Sequence, residues 1–136
     1  MPKMVLLSSY VELDSNVLSQ WCKKIELTTE VEEQEVTNFL SLGWKEVLGG
    51  KKSGSLSLDL FQDPAAAAID SIMWPLQGEV VPFVARLSNA AVGASNPNWT
   101  GSVLVNKWTP IGGEVGSVAA VSVDYPTSGP VLRATA

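Results

Sequence analysis

Four carboxylates crowd one short stretch of this chain: Glu30, Glu32, Glu33 and Glu35. Paired acids do general acid–base work when burial raises the pKa of one of them. At the end of an alternating polar stretch they are instead expected to form a solvated face. The chain has no histidine, which removes Ser–His and Cys–His nucleophile pairs and the commonest metal ligand. Its single cysteine, Cys22, excludes an intrachain disulfide. A reactive thiolate there would need Lys23 or Lys24 as a cationic neighbour, and the plainer expectation is a small buried hydrophobe beside Trp21. The segment LGGKKSGS is glycine-rich, but a phosphate-binding P-loop needs a glycine five residues before Gly50, and that position is Lys45. No GxGxxG opens a helix and no acids fall at EF-hand spacing. We therefore assign no catalytic residue, no cofactor and no metal ligand.

Five tryptophans, Trp21, Trp44, Trp74, Trp99 and Trp108, could line a carbohydrate or ligand platform, but core and interface packing is the expected use. The net charge of −5 argues against a protein that grips nucleic acid and is compatible with a surface to which DNA should not adhere. With 136 residues, 46% of them hydrophobic, the chain is expected to form one globular domain over 1–136. No apolar run reaches the length of a membrane span, so no membrane partner is expected. The opening residues lack a signal-peptide pattern, and Asn98-Trp99-Thr100 is read as a chance glycosylation sequon.

The elements that must position these residues centre on 53–76. Ser55-Leu56-Ser57-Leu58-Asp59-Leu60 alternates as a strand with one wet face and one buried face. Asp63-Pro64 reads as an N-cap with Pro at the first helical position. The apolar stripe at 65, 68, 69, 72, 73 and 76 predicts a helix over 63–75. Upstream, Val5 to Leu13 predicts a strand, Asp14-Ser15-Asn16 a turn, and Val17 to Cys22 one helical turn. Lys24 to Glu32 alternates again, with Ile25, Leu27, Thr29 and Val31 facing one way. Residues 33–52 show no alternation and read as a long irregular loop, either folded back on the core or docked on a neighbouring chain. Downstream, 79–87 predicts a strand that Pro82 marks as an edge. Strands at 99–108 and 116–125 follow, with Val121 and Val123 opposed to Ser122 and Asp124, and then a small-residue tail. Val103-Leu104-Val105 does not declare which side is wet. The pattern is α+β, or a β-sandwich with a flanking helix.

The turns and their spacing resemble those of major tail tube proteins of phages with long non-contractile tails. The resemblance is carried by Asn96-Pro97-Asn98-Trp99-Thr100-Gly101, Trp108-Thr109-Pro110-Ile111-Gly112-Gly113, Val115-Gly116-Ser117 and Ser128-Gly129-Pro130. Earlier segments agree: Tyr10 to Leu13, Val17 to Lys24, Phe61 to Ala65, and Met73 to Leu76. It implies a mainly β fold, a sandwich or barrel with one flanking helix, and a non-enzymatic virion tail subunit assembled in the host cytoplasm. Six copies would form a ring, and rings would stack into a tube through which DNA passes. The tail tip, terminator and tape-measure proteins would be its other partners. Inner strands would be 24–32, 54–61, 101–108 and 117–125, joined between neighbouring subunits. Their lumen-facing side chains would be Lys24, Glu26, Thr28, Glu30, Ser55, Ser57, Asp59, Ser122 and Asp124. An inter-ring loop at 33–52 would dock through Glu33, Glu35, Phe39, Trp44, Lys45 and Lys51. Two other classes remain open: a virion decoration or tail-associated binding module using exposed tryptophans, and, more distantly, a small hydrolase using the clustered carboxylates.

Overall fold

In the computed structural model, which describes residues 3–136, alternating apolar residues build two antiparallel sheets packed face to face. The single domain read over 1–136 also includes Met1 and Pro2, which lie outside the described residues. One sheet has five strands: β1 (Tyr10–Leu13), β2 (Asn16–Val17), β5 (Val80–Arg86), β6 (Asn98–Leu104) and β8 (Leu132–Ala134), in the order β2-β1-β5-β6-β8. The other has three longer strands, β3 (Cys22–Glu35), β4 (Val47–Phe61) and β7 (Ala120–Pro126), in the order β3-β4-β7. The expected mainly β sandwich with one helix is the observed architecture. Leu56, Leu58 and Leu60 of β4 and Val121, Val123 and Tyr125 of β7 face Val11, Leu13, Val81, Phe83 and Ala85 of the five-stranded sheet in one buried cluster. Each buried Leu contributes about 2 kcal/mol in transfer free energy.

The helix is much shorter than the stripe predicts. α1 covers only Ile69–Met73 and runs into a 3-10 turn at Trp74–Leu76. Asp63 does not cap it: the helix starts after Ala68, without a side-chain cap. Asp63 instead accepts a hydrogen bond from the Ala65 N–H at 3.1 Å and one from the Trp21 indole at 3.2 Å. Ala67 sits at φ 61°, which breaks the alanine run despite its helix propensity. Tertiary anchoring overrides propensity over so few residues. Of the stripe, Ala68, Ile69, Met73 and Leu76 are buried and Ile72 is partly so, whereas Ala65, ahead of the helix, is exposed. Asp70 fixes the helix by accepting from the Trp108 indole at 3.0 Å and the Gln62 amide at 3.2 Å.

Other boundaries also move. The first strand begins at Tyr10 rather than Val5, and Val17 to Cys22 is a short strand followed by a turn. Asp14 and Ser15, at φ 50° and 65°, make the two-residue turn from β1 to β2. β5 is not an edge, since it lies between β1 and β6. Pro82 is tolerated because its carbonyl accepts from Asp14, so its nitrogen also faces the place where β1 gives way to that turn. The strand expected over 101–108 stops at Leu104 and belongs to the five-stranded sheet, not beside 24–32 and 54–61. Its register is settled, with Val103 and Val105 buried. The tail supplies β8, which pairs with β6.

The largest difference is at 33–52. β3 runs on to Glu35 and β4 begins at Val47, so both ends of the expected irregular loop are a paired hairpin shaft with the register Glu33↔Gly49 and Glu35↔Val47, and only 36–46 is a connection. The glycines of the shaft serve close approach. A Cβ on Gly50 would meet the Gln34 side chain at 3.1 Å, and one on Gly54 would meet the Thr28 carbonyl at 2.8 Å.

Two outcomes follow from this packing. Gly54→Ala is expected to cost about 1–3 kcal/mol through overpacking against a strand backbone that cannot move aside, measured from urea midpoints. Tyr125 is wholly buried, with its hydroxyl donating to the Lys107 carbonyl at 2.7 Å, and burial pushes its pKa well above the ordinary tyrosine value. The folded state therefore holds this proton more tightly than the unfolded chain does. The resulting stabilisation is complete below pH ~10 and is lost as pH rises beyond it. Alkaline unfolding, followed by tyrosinate absorbance and far-UV circular dichroism together, should show Tyr125 ionising only as the fold is lost.

Candidate functional site: the outer face of the three-stranded sheet and the hairpin tip

Strand alternation that turns Leu56, Leu58 and Leu60 inward necessarily turns Ser55, Ser57 and Asp59 outward. The register then assembles the face in rows. Lys24 pairs with Asp59 and Asp59 with Ser122; Glu26 pairs with Ser57 and Ser57 with Asp124; Thr28 pairs with Ser55. Glu30 continues the face opposite Ser53. All nine side chains expected on one surface therefore do share one side of one sheet. A bulge between Cys22 and Lys24 sets the start of this register. Within the face, the Ser57 hydroxyl donates to Asp124 Oδ1 at 3.0 Å. Four carboxylates against one ammonium leave the face acidic.

The second group lies at the far end of the β3–β4 hairpin. Its tip, 36–46, is ordered by its own polar groups. Asn38 caps a 3-10 turn at Phe39–Ser41, accepting from the Leu40 N–H at 2.9 Å while its own N–H donates to Ser41 Oγ at 3.1 Å. The Ser41 hydroxyl donates to Glu46, whose own N–H donates to Thr37 Oγ1 at 3.0 Å. Leu42 and Gly43 turn the chain with positive φ. This polar frame holds the apolar side chains outward: Phe39 is 102% exposed, Leu40 91%, Leu42 84% and Trp44 79%. Of the other residues expected there, Glu33 and Lys45 form an exposed ion pair at 2.9 Å, worth little in water. Glu35 and Lys51 lie exposed on the shaft.

The remaining candidates are dispersed. Cys22 is partly buried, and burial, with the Asp59 charge adding to it, pushes its thiol above the usual range, the opposite of activation. Trp108 is core, Trp21 packs against it, and Trp44 and Trp74 are exposed on separate elements. Among the described residues no three His, Cys, Asp or Glu side chains are grouped to hold a metal ion, and no helix is long and apolar enough to cross a membrane. Sequence reading missed the groove at the open side of the sandwich, where Ile25 and Leu27 face Ala85, Leu87 and Trp99. Only the pairing of the sheets brings these residues together.

No protein-family description matches the chain, and no curated protein matches it. Among solved structures it is similar to a chain of the virion of a native gene transfer agent particle. That likeness has a TM-score of 0.73 and 19% identity, over 93% of this chain and 95% of that one. A chain from the tail of an empty gene transfer agent particle, with helical refinement and C6 symmetry, matches with TM-score 0.65 and 17% identity over 93% of each. At these identities the likeness establishes a common fold.

The two sides of the three-stranded sheet should respond differently to substitution. Leu58→Ala is expected to cost about 2–5 kcal/mol, whereas Glu26→Ala on the outer face should shift stability by less than ~0.5 kcal/mol. Comparing the two urea midpoints at neutral pH checks this.

Proposed function

We propose that this chain is a non-enzymatic structural subunit of a phage-type tail, forming six-membered rings that stack into a hollow tube for DNA. The observation that carries this reading is the hairpin tip: a hydrogen-bonded frame that presents four large apolar side chains to water is built for burial against another chain. The fold shared with a gene transfer agent virion and a C6 tail supports it. So does the exposed pair of edges on the three-stranded sheet. β3 and β7 are its outer strands, and their free N–H and C=O groups would be satisfied if β3 of one copy met β7 of the next.

In such a ring the acidic face lines the lumen. Carboxylates around a channel repel phosphate at a range of about 8–10 Å at physiological salt, so DNA slides without adhering. The tip then works between rings, with Glu33, Glu35, Phe39, Trp44, Lys45 and Lys51 as its contact residues. The virion tail is its location, and the tip, terminator and tape-measure proteins are its remaining partners.

Purified protein, concentrated or seeded, should give rings or tubes by negative-stain microscopy. A chain that stays monomeric under every condition, including in particles, would sink the proposal. Trp44→Ala should leave monomer stability within ~0.5 kcal/mol, because the side chain is exposed, yet weaken stacking by about 2 kcal/mol per contact, roughly 30-fold. Parallel melting and sedimentation measurements separate the two effects.

A further inference from the structure

A second group of exposed apolar side chains stands between β6 and β7. Every residue from 111 to 119 is exposed, with Ile111 at 92%, Val115 at 107% and Val118 at 72%. Gly113 and Gly116 turn this segment at φ 137° and 89°. The segment does little to hold itself. Among the described residues, its one internal backbone hydrogen bond runs from the Ser117 N–H to the Glu114 carbonyl at 3.1 Å.

Its order comes from Gln62, the residue that follows β4. The Gln62 backbone N–H donates to the Ala119 carbonyl at 3.0 Å, and its side-chain amide donates to the Pro110 carbonyl at 2.7 Å. One residue therefore pins both ends of the loop. The same amide donates to Asp70 Oδ1 at 3.2 Å, beside the Trp108 indole, and Gln62 Oε1 accepts from the Asp63 N–H at 3.0 Å. Its side-chain donors and its acceptor are all engaged, a set that glutamate, without a donor, cannot reproduce. Asp70 belongs to α1, so the loop is latched to the helix as well as to the end of the sheet.

The latch has a place in the whole subunit. β4 runs from Val47 at the hairpin shaft to Phe61, the residue before Gln62. Tip and loop therefore stand at opposite ends of the three-stranded sheet, roughly 45 Å apart at ~3.3 Å per residue. We infer that Gln62 is a positioning residue that presets the 110–119 loop, presenting Ile111, Val115 and Val118 as a contact surface for a second copy of the chain. The contact rests on the tube-subunit reading, in which copies follow one another end to end and this end faces the next copy. A loop pinned at both ends has already lost on folding the entropy that a loose one would lose on contact. Glu114 is the one charged residue in the loop, so covering this surface strands few ions.

A nitroxide on Val115→Cys, in a Cys22→Ala background, tests both parts, because Val115 is wholly exposed and the label displaces nothing. In the dilute subunit its motion should be restricted with Gln62 in place and about threefold faster in Gln62→Met, with the aromatic near-UV circular dichroism retained. Gln62→Glu, which keeps the acceptor for the Asp63 N–H, is the second variant and should behave alike. A label equally mobile with and without Gln62 would overturn the positioning role. So would loss of the aromatic signal in both variants, which would place Gln62 in the core fold instead. On assembly the label should become immobilised, and Gln62→Met should slow assembly about tenfold, since the loop must then be ordered at contact. Assemblies in which the label stays as mobile as in the dilute subunit would overturn the contact surface and leave the tube reading intact. Absence of assembly in the unlabelled protein would overturn the contact surface together with the tube reading, while the dilute spectra still decide the positioning role.

Discussion

The parity of β4 is the constraint on which the rest of the structure depends. Its odd and even residues must go to opposite sides of the sheet, and Leu56, Leu58 and Leu60 commit the even set to the core. A slip of one residue against β3 or β7 would expose three leucines and bury Ser55, Ser57 and Asp59 without partners. Such a slip costs several kcal/mol for each polar or charged group buried. The same pairing that closes the core therefore lays out the acidic rows from Lys24 through Asp59 to Ser122 and from Glu26 through Ser57 to Asp124. Stability and surface chemistry are two readings of one register.

The hairpin shows the complementary arrangement, in which stability is not taken from the core at all. Its shaft is held by the β3–β4 ladder and its tip by Asn38, Ser41, Thr37 and Glu46. Polar groups supply the internal order, which releases Phe39, Leu40, Leu42 and Trp44 from any duty within the monomer. A flexible loop carrying those side chains would lose entropy on docking, whereas a framed tip has already lost it on folding. The cost falls on the monomer, which carries this aromatic surface exposed to water.

The helix segment closes the far end of the sandwich by a different device. Two tryptophan indoles, from Trp21 and Trp108, donate to Asp63 and Asp70, tying the segment before and within α1 to the sandwich. These buried or half-buried hydrogen bonds convert aromatic packing into fixed orientation. They explain why a chain segment with four consecutive alanines yields only a five-residue helix. The carboxylates are engaged by indoles, and the backbone follows.

The sequence alone determined the inside and outside of the strictly alternating strands where they cover the core. Period-two alternation at 24–27, 55–60 and 121–125 declares which residues must be wet, because apolar burial is the strongest force driving the fold, whereas Thr29 and Val31 continue the alternation yet lie exposed beyond the core. Those strands were legible, as were the Asp14-Ser15 turn, the buried stripe of α1 and the nine residues of the acidic face. The tertiary structure decided what alternation could not encode. Gly50 reads as part of a loop until Gln34 is found packed where its side chain would be. Pro82 looks like an edge marker until β1 is seen to end beside it. The five-stranded sheet takes 98–104, and the groove beside Ile25 and Leu27 exists only because two sheets meet along one side and part along the other. Each of these depends on residues far apart in the chain coming within a few ångströms, and a local pattern carries no information about such approaches.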